Sequence, residues 1–209
     1  MKIEFDIPFN CPDNIKPFLE KVFLGEYDIR GIFSSPTIID LGANCGAYSV
    51  WAKHRFPDSI IYAYEPDPKT YEILLDNISP YKGINTFNYG IGTPGMRAFK
   101  KGKNNCGESS FHYIEDNPLP IGMHLEVKDP LILPEANILK MDIEGCEMEV
   151  LEPLIKDGRK FDLITLEYHN HDLRREVDKL LDDYILIGAV VTNIFGLGVA
   201  KYLYKGHAS

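Results

Sequence analysis

The sequence predicts an α/β fold with a mainly parallel sheet and helices on both of its faces. Three observations predict it. Short apolar runs alternate with segments of helical periodicity along most of the 209 residues. The runs are apolar almost throughout, as strands buried on both faces must be. The first run ends in a glycine turn that leads directly into a helix, which is how such folds build a ligand cradle. The length suits one domain with a sizeable core. No repeat, low-complexity tract or linker divides it, so residues 1–209 are read as one domain, with an N-terminal helical cap over about 1–35.

The elements follow in order. Residues 13–26 predict a helix, striped by Ile15, Phe18, Leu19, Val22 and Phe23, with Asp13 as cap and Pro17 in the first turn. The strand TIIDL comes next, then a helix over 46–56 that stops before Pro57, then the strand IIYAY at 60–64. In EPDPKTYEILLDNI, Asp67 caps a helix, Pro68 opens it, and Tyr71, Leu74, Leu75 and Ile78 mark its buried face. A third strand, NTFNYG, ends at Gly90, and a fourth, NILKMD, ends at Asp142. The helix near 146–157 is expected to bend or break around Pro153. The fifth strand, FDLITLEY, precedes a helix striped by Leu173, Val177, Leu180 and Leu181, and YILIGAVVT and VAKYLYK close the chain as a hairpin. Residues 93–135 break the alternation. MRAFKK, SSFHYIE and HLEVK make a β-rich insertion, read as a lid or binding loop at the sheet's carboxyl edge, or as a decorative hairpin.

Composition excludes several classes. The chain is 44% hydrophobic and 25% charged, an ordinary globular balance. A net charge of −9 argues against a nucleic-acid partner. No run approaches the roughly 18 apolar residues of a membrane span, and MKIEFDIPFN lacks the pattern of a signal peptide. Cys11, Cys45, Cys106 and Cys146 form no CxxC pair, so they are read as reduced thiols of a cytoplasmic protein.

The chemistry starts at IIDLGANCGAYS, residues 38–49. A dinucleotide loop needs G-x-G-x-x-G, because a pyrophosphate presses on the second glycine. Here those positions hold Gly42, Asn44 and Ala47, and Asp40 precedes them. A carboxylate in front of the turn repels a diphosphate and suits an amino group or a sulfonium. The second strand ends at Glu65, about 20 residues further on, where an acidic side chain receives ribose hydroxyls. An amino acid, a sulfonium and a nucleoside together describe S-adenosylmethionine. An NAD-binding oxidoreductase and a non-catalytic S-adenosylmethionine-binding domain stand as alternatives.

Four stretches, IIDLGANCGAYS, IIYAYEPDPKTYEILLDNI, ILKMDIEGCEMEVLEPL and ITLEYH, resemble the FkbM family of S-adenosylmethionine-dependent methyltransferases. The likeness is strongest in KMDIEGCEMEVL and runs from about residue 22 to 170; FLGEY, before the first strand, also resembles family members. The T-L-D typical of the family before the fourth strand is absent, and VKDPLILP stands there. The resemblance implies a class I methyltransferase fold, Rossmann-like, with a seven-stranded sheet whose last strand is antiparallel. It implies methylation of a hydroxyl on a sugar or small natural product.

By resemblance and by charge, Asp40, Gly42, Ala43, Asn44 and Gly46 are expected at the methionine end, Asp40 acting through loop backbone or water. Tyr48 and Ser49 are candidates for its carboxylate, Tyr48 with plain packing as the alternative. Glu65 is expected at the ribose beside Pro66. Asn88, Gly90 and Ile91 are expected near adenine, largely through backbone groups. Asp142 stands at the end of the fourth strand, by the expected sulfonium, with Glu144 two residues on. Glu167 and His169 share one face of the fifth strand; His169 is the candidate general base, since its pKa lies near working pH. Asp142, Glu167 and His169 also offer a donor set for a divalent metal, which the resemblance does not require and which is not expected. The identity of the acceptor and the oligomeric state are not legible.

Overall fold

The computed structural model describes residues 9–13, 16–28, 33–100, 110–112, 123–191 and 196–207. In chain order the elements are α1 (Lys16–Phe23), β1 (Thr37–Leu41), α2 (Ala47–Arg55), β2 (Ile60–Tyr64), α3 (Pro68–Ile78), β3 (Ile84–Phe87), β4 (Gly90–Ile91), β5 (Gly95–Lys100), β6 (Ser110–His112), β7 (Met123–Lys128), β8 (Ile138–Met141), α4 (Glu147–Lys156), β9 (Leu163–Tyr168), α5 (His171–Leu180), β10 (Tyr184–Val191) and β11 (Gly198–Tyr204).

Seven strands form one sheet in the order β3-β2-β1-β8-β9-β11-β10. The pairs from β3 through β9 are parallel, and β11 runs antiparallel to both of its neighbours. The expected architecture is therefore present, and its only antiparallel strand is the last in the chain.

Alternation along each strand sorts the core into two layers. Ile38, Ile138 and Leu163 pack with Val50, Trp51 and Leu74 on the face covered by α1, α2 and α3. Their sequence neighbours Ile39, Leu139 and Ile164 pack with Val150, Leu154 and Val177 on the face covered by α4 and α5. The central strands are buried on both faces, which is why they read as unbroken apolar runs.

Local chemistry explains the helix ends. Asp67 accepts from the Lys69 N–H and Pro68 opens α3, as expected. Asn170 caps α5 by accepting from Leu173 N–H at 2.7 Å. Of the bend or break expected around Pro153, the break does not occur: α4 runs continuously from Glu147 to Lys156 with Pro153 inside it. Pro153 stands only three residues from the end, so its ring costs one hydrogen bond and no further turn has to continue past it.

The insertion folds as its own sheet, in the order β4-β7-β5-β6. Residues 101–109 and 113–122, which include Cys106, fall outside the described residues. Arg97 on β5 fastens this sheet to α4 through Glu149 at 2.7 Å, and Glu149 also accepts from Thr93 N–H at 2.9 Å. Among the described residues Cys11, Cys45 and Cys146 form no disulfide, and no helix is long and apolar enough to cross a membrane.

Candidate active site

The turn between β1 and α2 is shaped by three left-handed residues: Gly42 (φ 68°), Asn44 (φ 51°) and Gly46 (φ 89°). Gly42 is required twice over. Its backbone conformation disfavours a side chain, and a Cβ there would stand 1.8 Å from the Asp142 carbonyl oxygen. The turn is thereby seated directly against the end of β8. Gly42 and Ala43 N–H both donate to Tyr64 O, at 3.1 and 3.0 Å, which ties the same turn to β2.

Asp40 lies wholly buried beneath this turn. It sits opposite Lys140 in the β1–β8 register, and the ammonium is 3.1 Å from its Oδ1. Ser49 Oγ donates to its Oδ2 at 2.7 Å. Lys140 Nζ also donates to the carbonyls of Gly42 (2.9 Å) and Leu41 (3.3 Å). Burial opposes its charge, but Asp40 first and Asp142 next outweigh burial and raise its pKa. The Asp40 charge is thus answered inside the protein, beneath the loop backbone through which it was expected to act, and Lys140 is a residue the sequence reading did not assign. Tyr48 and Ser49 likewise turn inward. Tyr48 packs between Tyr27 and Trp51, at centroid distances of 5.2 and 5.6 Å.

At the end of β2, the Glu65 carboxyl accepts from Asn44 N–H (2.9 Å) and Asp67 N–H (2.8 Å). Burial pushes its pKa up to about 7, against the pull of those two bonds. Asn88 holds the adjacent chain, donating to Glu65 O at 2.8 Å and Pro66 O at 3.1 Å. Gly90 and Ile91 pair with β7, so their backbone belongs to the insertion sheet.

Two residues beyond the Asp40–Lys140 row, on the same face, stands a second row. Met141 pairs with Leu166, which puts Asp142 beside Glu167 on the face that holds α2. Their carboxyls are close enough to share a proton. Burial, then the charge of Asp142 and a hydrogen bond to it, push the Glu167 pKa well up. His169 Nε2 lies 3.0 Å from Glu144 Oε2 and 3.8 Å from Glu167 Oε2. Burial disfavours imidazolium, but the bond to Glu144 and the charges of Glu144, Glu147 and Asp142 outweigh it and raise its pKa. Its Nδ1 is buried without a partner. Glu144 is held in the left-handed region (φ 55°), a conformation that non-glycine residues adopt at a cost. The four predicted catalytic side chains therefore converge. Among the described residues, however, no group of three or more His, Cys, Asp or Glu side chains forms a metal-holding arrangement.

Two further residues reach this cluster from the turn after α1. Tyr27 is buried, and its hydroxyl feels the charges of Asp142, Glu167, Glu26 and Asp40. Glu26, half-buried, feels Asp142 in turn. The one signal for them in the sequence is FLGEY.

The family model described as "Methyltransferase FkbM domain" matches residues 40–186. This chain belongs to the FkbM methyltransferase family. The match spans both carboxylate rows, the glycine turn, the main-sheet strands β2, β3, β8 and β9, and parts of β1 and β10. The methyltransferase sdnD of Sordaria araneosa is 25% identical over 196 residues, covering 75% of this chain and 76% of its own length. The hexuronic acid methyltransferase AglP of Haloferax volcanii is 25% identical over 161 residues, covering 69% of this chain and 60% of its own length. Fibrillarin of Aeropyrum pernix, solved with natively bound S-adenosyl-L-methionine, shares the fold with a TM-score of 0.52 at 12% identity, over 88% of this chain and 74% of that one.

Proposed function

We propose that this FkbM-family chain transfers a methyl group from S-adenosylmethionine to a hydroxyl oxygen of a small acceptor, with a sugar as the leading class. The observation that carries the reading is the Asp142–Glu167 pair beside the turn that holds Gly42. A hydroxyl is a poor nucleophile until its proton has somewhere to go. The residues fit the cofactor: a turn bare of side chains, a carboxyl at the end of β2 for the ribose, and a carboxylate at the end of β8 for a cation. Asn44, Glu65, Pro66 and Asn88 would hold the nucleoside side, and Gly42, Ala43 and Gly46 the methionine side. Asp40, Ser49 and Tyr48 support the turn from below, through Lys140. The bound cofactor supplies a methyl group on a positively charged sulfur.

The chain's own residues supply alignment and a proton sink. Two like charges side by side cannot both ionise freely, so the pair rests with one proton shared between Asp142 and Glu167. Its ionised oxygen accepts the acceptor's hydroxyl proton, and the pair ends neutral with two protons. The acceptor oxygen gains the methyl carbon as it loses that proton, so charge balances without any further group. His169 is not assigned the base role, because its raised pKa favours imidazolium, which has no lone pair, and its Nε2 is committed to Glu144. Its place is to hold the strained Glu144 turn under the site. A sugar acceptor is supported by the Haloferax relative, whose name states a hexuronic acid substrate. The NAD-dependent alternative has no such support.

Calorimetry with S-adenosylhomocysteine and NAD, followed by methyl transfer to a panel of glycosides and polyols, tests the reading. Heat with the sulfur ligand and none with NAD is expected. NAD binding in its place would overturn it.

A further inference from the structure

We propose that Asn77 of α3 is a positioning residue of the cofactor turn, and that it couples the turn to the N-terminal segment at Phe9 and Asn10, so that docking of this segment and binding of the cofactor favour one another. The proposal rests on the methyltransferase reading above and deepens it.

Asn77 is 8% exposed, and its amide is engaged on both sides. Asn10 N–H donates to its Oδ1 at 2.8 Å, and its Nδ2 donates to Asn10 O at 2.7 Å. The same Nδ2 donates to Cys45 O at 2.8 Å. One N–H to accept from and two carbonyls to donate to require an amide; a carboxylate could meet only the first. Two carbonyls from distant parts of the chain therefore share one buried nitrogen.

Cys45 is the middle of the turn. Its neighbours Asn44 and Gly46 are both left-handed. Asn44 N–H is bonded to Glu65, the carboxyl assigned to the ribose, at 2.9 Å. Gly46 N–H closes the turn on Ala43 O at 2.8 Å. The Cys45 carbonyl and the Gly46 N–H belong to one planar peptide unit, so a donor that fixes the first also fixes the second. The turn also rests on α3 by packing, since a Cβ on Gly46 would stand 2.7 Å from Leu74 Cδ1.

The segment is held at its other end by α1. Phe9 packs on the core layer under that helix and meets the Phe23 ring edge to face, with centroids 5.4 Å apart. When the segment leaves, Oδ1 loses its donor, and an amide turns easily about its last torsion. The Cys45 carbonyl then loses a fixed donor and the turn loses its preset shape, which a ligand must restore on binding. Linkage runs equally in reverse: a cofactor that holds the turn holds Asn77 in the orientation that Asn10 needs.

The test uses the whole chain and S-adenosylhomocysteine. Hydrogen exchange of the Asn10 amide, followed by NMR, is expected to slow about tenfold at saturating ligand. In calorimetry Asn10→Pro, which removes the N–H that Oδ1 accepts, is expected to weaken ligand affinity about fivefold. Asn10→Ala keeps that backbone contact and is expected to bind as the wild type does. Asn77→Ala is expected to weaken affinity about tenfold, and the double variant Asn77→Ala with Asn10→Pro no further, because both changes break one link. Should Asn77→Ala fail to fold, the exchange of the wild type and the two Asn10 variants still decide. Exchange at Asn10 that ligand leaves unchanged, an Asn10→Pro variant with wild-type affinity, an equal loss in Asn10→Ala, or additive losses in the double variant overturns the proposal. A wild-type chain that does not bind S-adenosylhomocysteine removes the methyltransferase reading itself, and this inference with it.

Discussion

Two rows of charge cross the same face of the sheet, two residues apart along the strands, and they are built on opposite terms. In the lower row Asp40 meets Lys140 in strand register, and Ser49 and two carbonyls complete the set. In the upper row Asp142 meets Glu167, and Glu144 and His169 crowd beside them. The lower row has one cation for its carboxylate and no access to solvent. The upper row sets two carboxyls side by side and is partly exposed. Matched charge makes scaffold, whereas like charges side by side retain one proton between them where a reaction can use the pair.

The largest effect should come from making the upper row uniform. Asp142→Asn is expected to lower turnover about 10²- to 10⁴-fold while leaving the melting temperature close to wild type. Glu167→Gln separates the two rows further through pH. The native Glu167 holds its proton above the ordinary carboxyl range, so the stability it contributes is lost as pH rises through its raised pKa. The glutamine variant should gain stability relative to wild type at alkaline pH and match it under acid conditions, as denaturant titration reads. A variant that instead loses stability at high pH would deny the shared proton.

The lower row should fail in the opposite way. Lys140→Met leaves a buried carboxylate without its cation, at a cost of about 3–5 kcal/mol in unfolding free energy. The double variant Lys140→Met with Asp40→Asn should recover most of that loss. No recovery would mean that the ammonium acts on the two carbonyls alone.

Glu65 lies between these extremes, since it is well bonded but costly to ionise. In the proposed role its carboxyl would receive ribose hydroxyls best as an anion, so affinity for S-adenosylhomocysteine should rise with pH through about 7. Glu65→Gln should flatten that profile and weaken binding by about 1–3 kcal/mol. The smallest effect should be at the Asp67 cap, where alanine should cost about 1 kcal/mol of stability and leave turnover unchanged.

The fold was legible because periodicity is local. The central strands announce themselves as apolar runs, and the caps at Asp67 and the glycines at 42 and 46 as punctuation. A break at Pro153 was misjudged because sequence shows a proline within a helical stretch but not how few residues the helix still has to run. The partnership of Asp40 with Lys140 was invisible for a different reason. The two residues are a hundred positions apart and meet only once β1 and β8 are neighbours. A signal existed, namely two opposite charges buried in the middle of apolar strands, each in need of a partner. Tyr48 and Ser49 follow the same rule. Helix periodicity tells which residues share a face, but not that this face packs on Tyr27 and Asp40.

The strand β11 (Gly198–Tyr204) sits inside the sheet, between β9 and β10, although it is the last strand made. During synthesis on the ribosome, the edge of β9 that carries Glu167 has no neighbour until residues near 198 leave the exit tunnel. The half of the sheet that carries Glu167 is therefore closed late, and a nascent chain leaves this strand edge open until β11 has emerged.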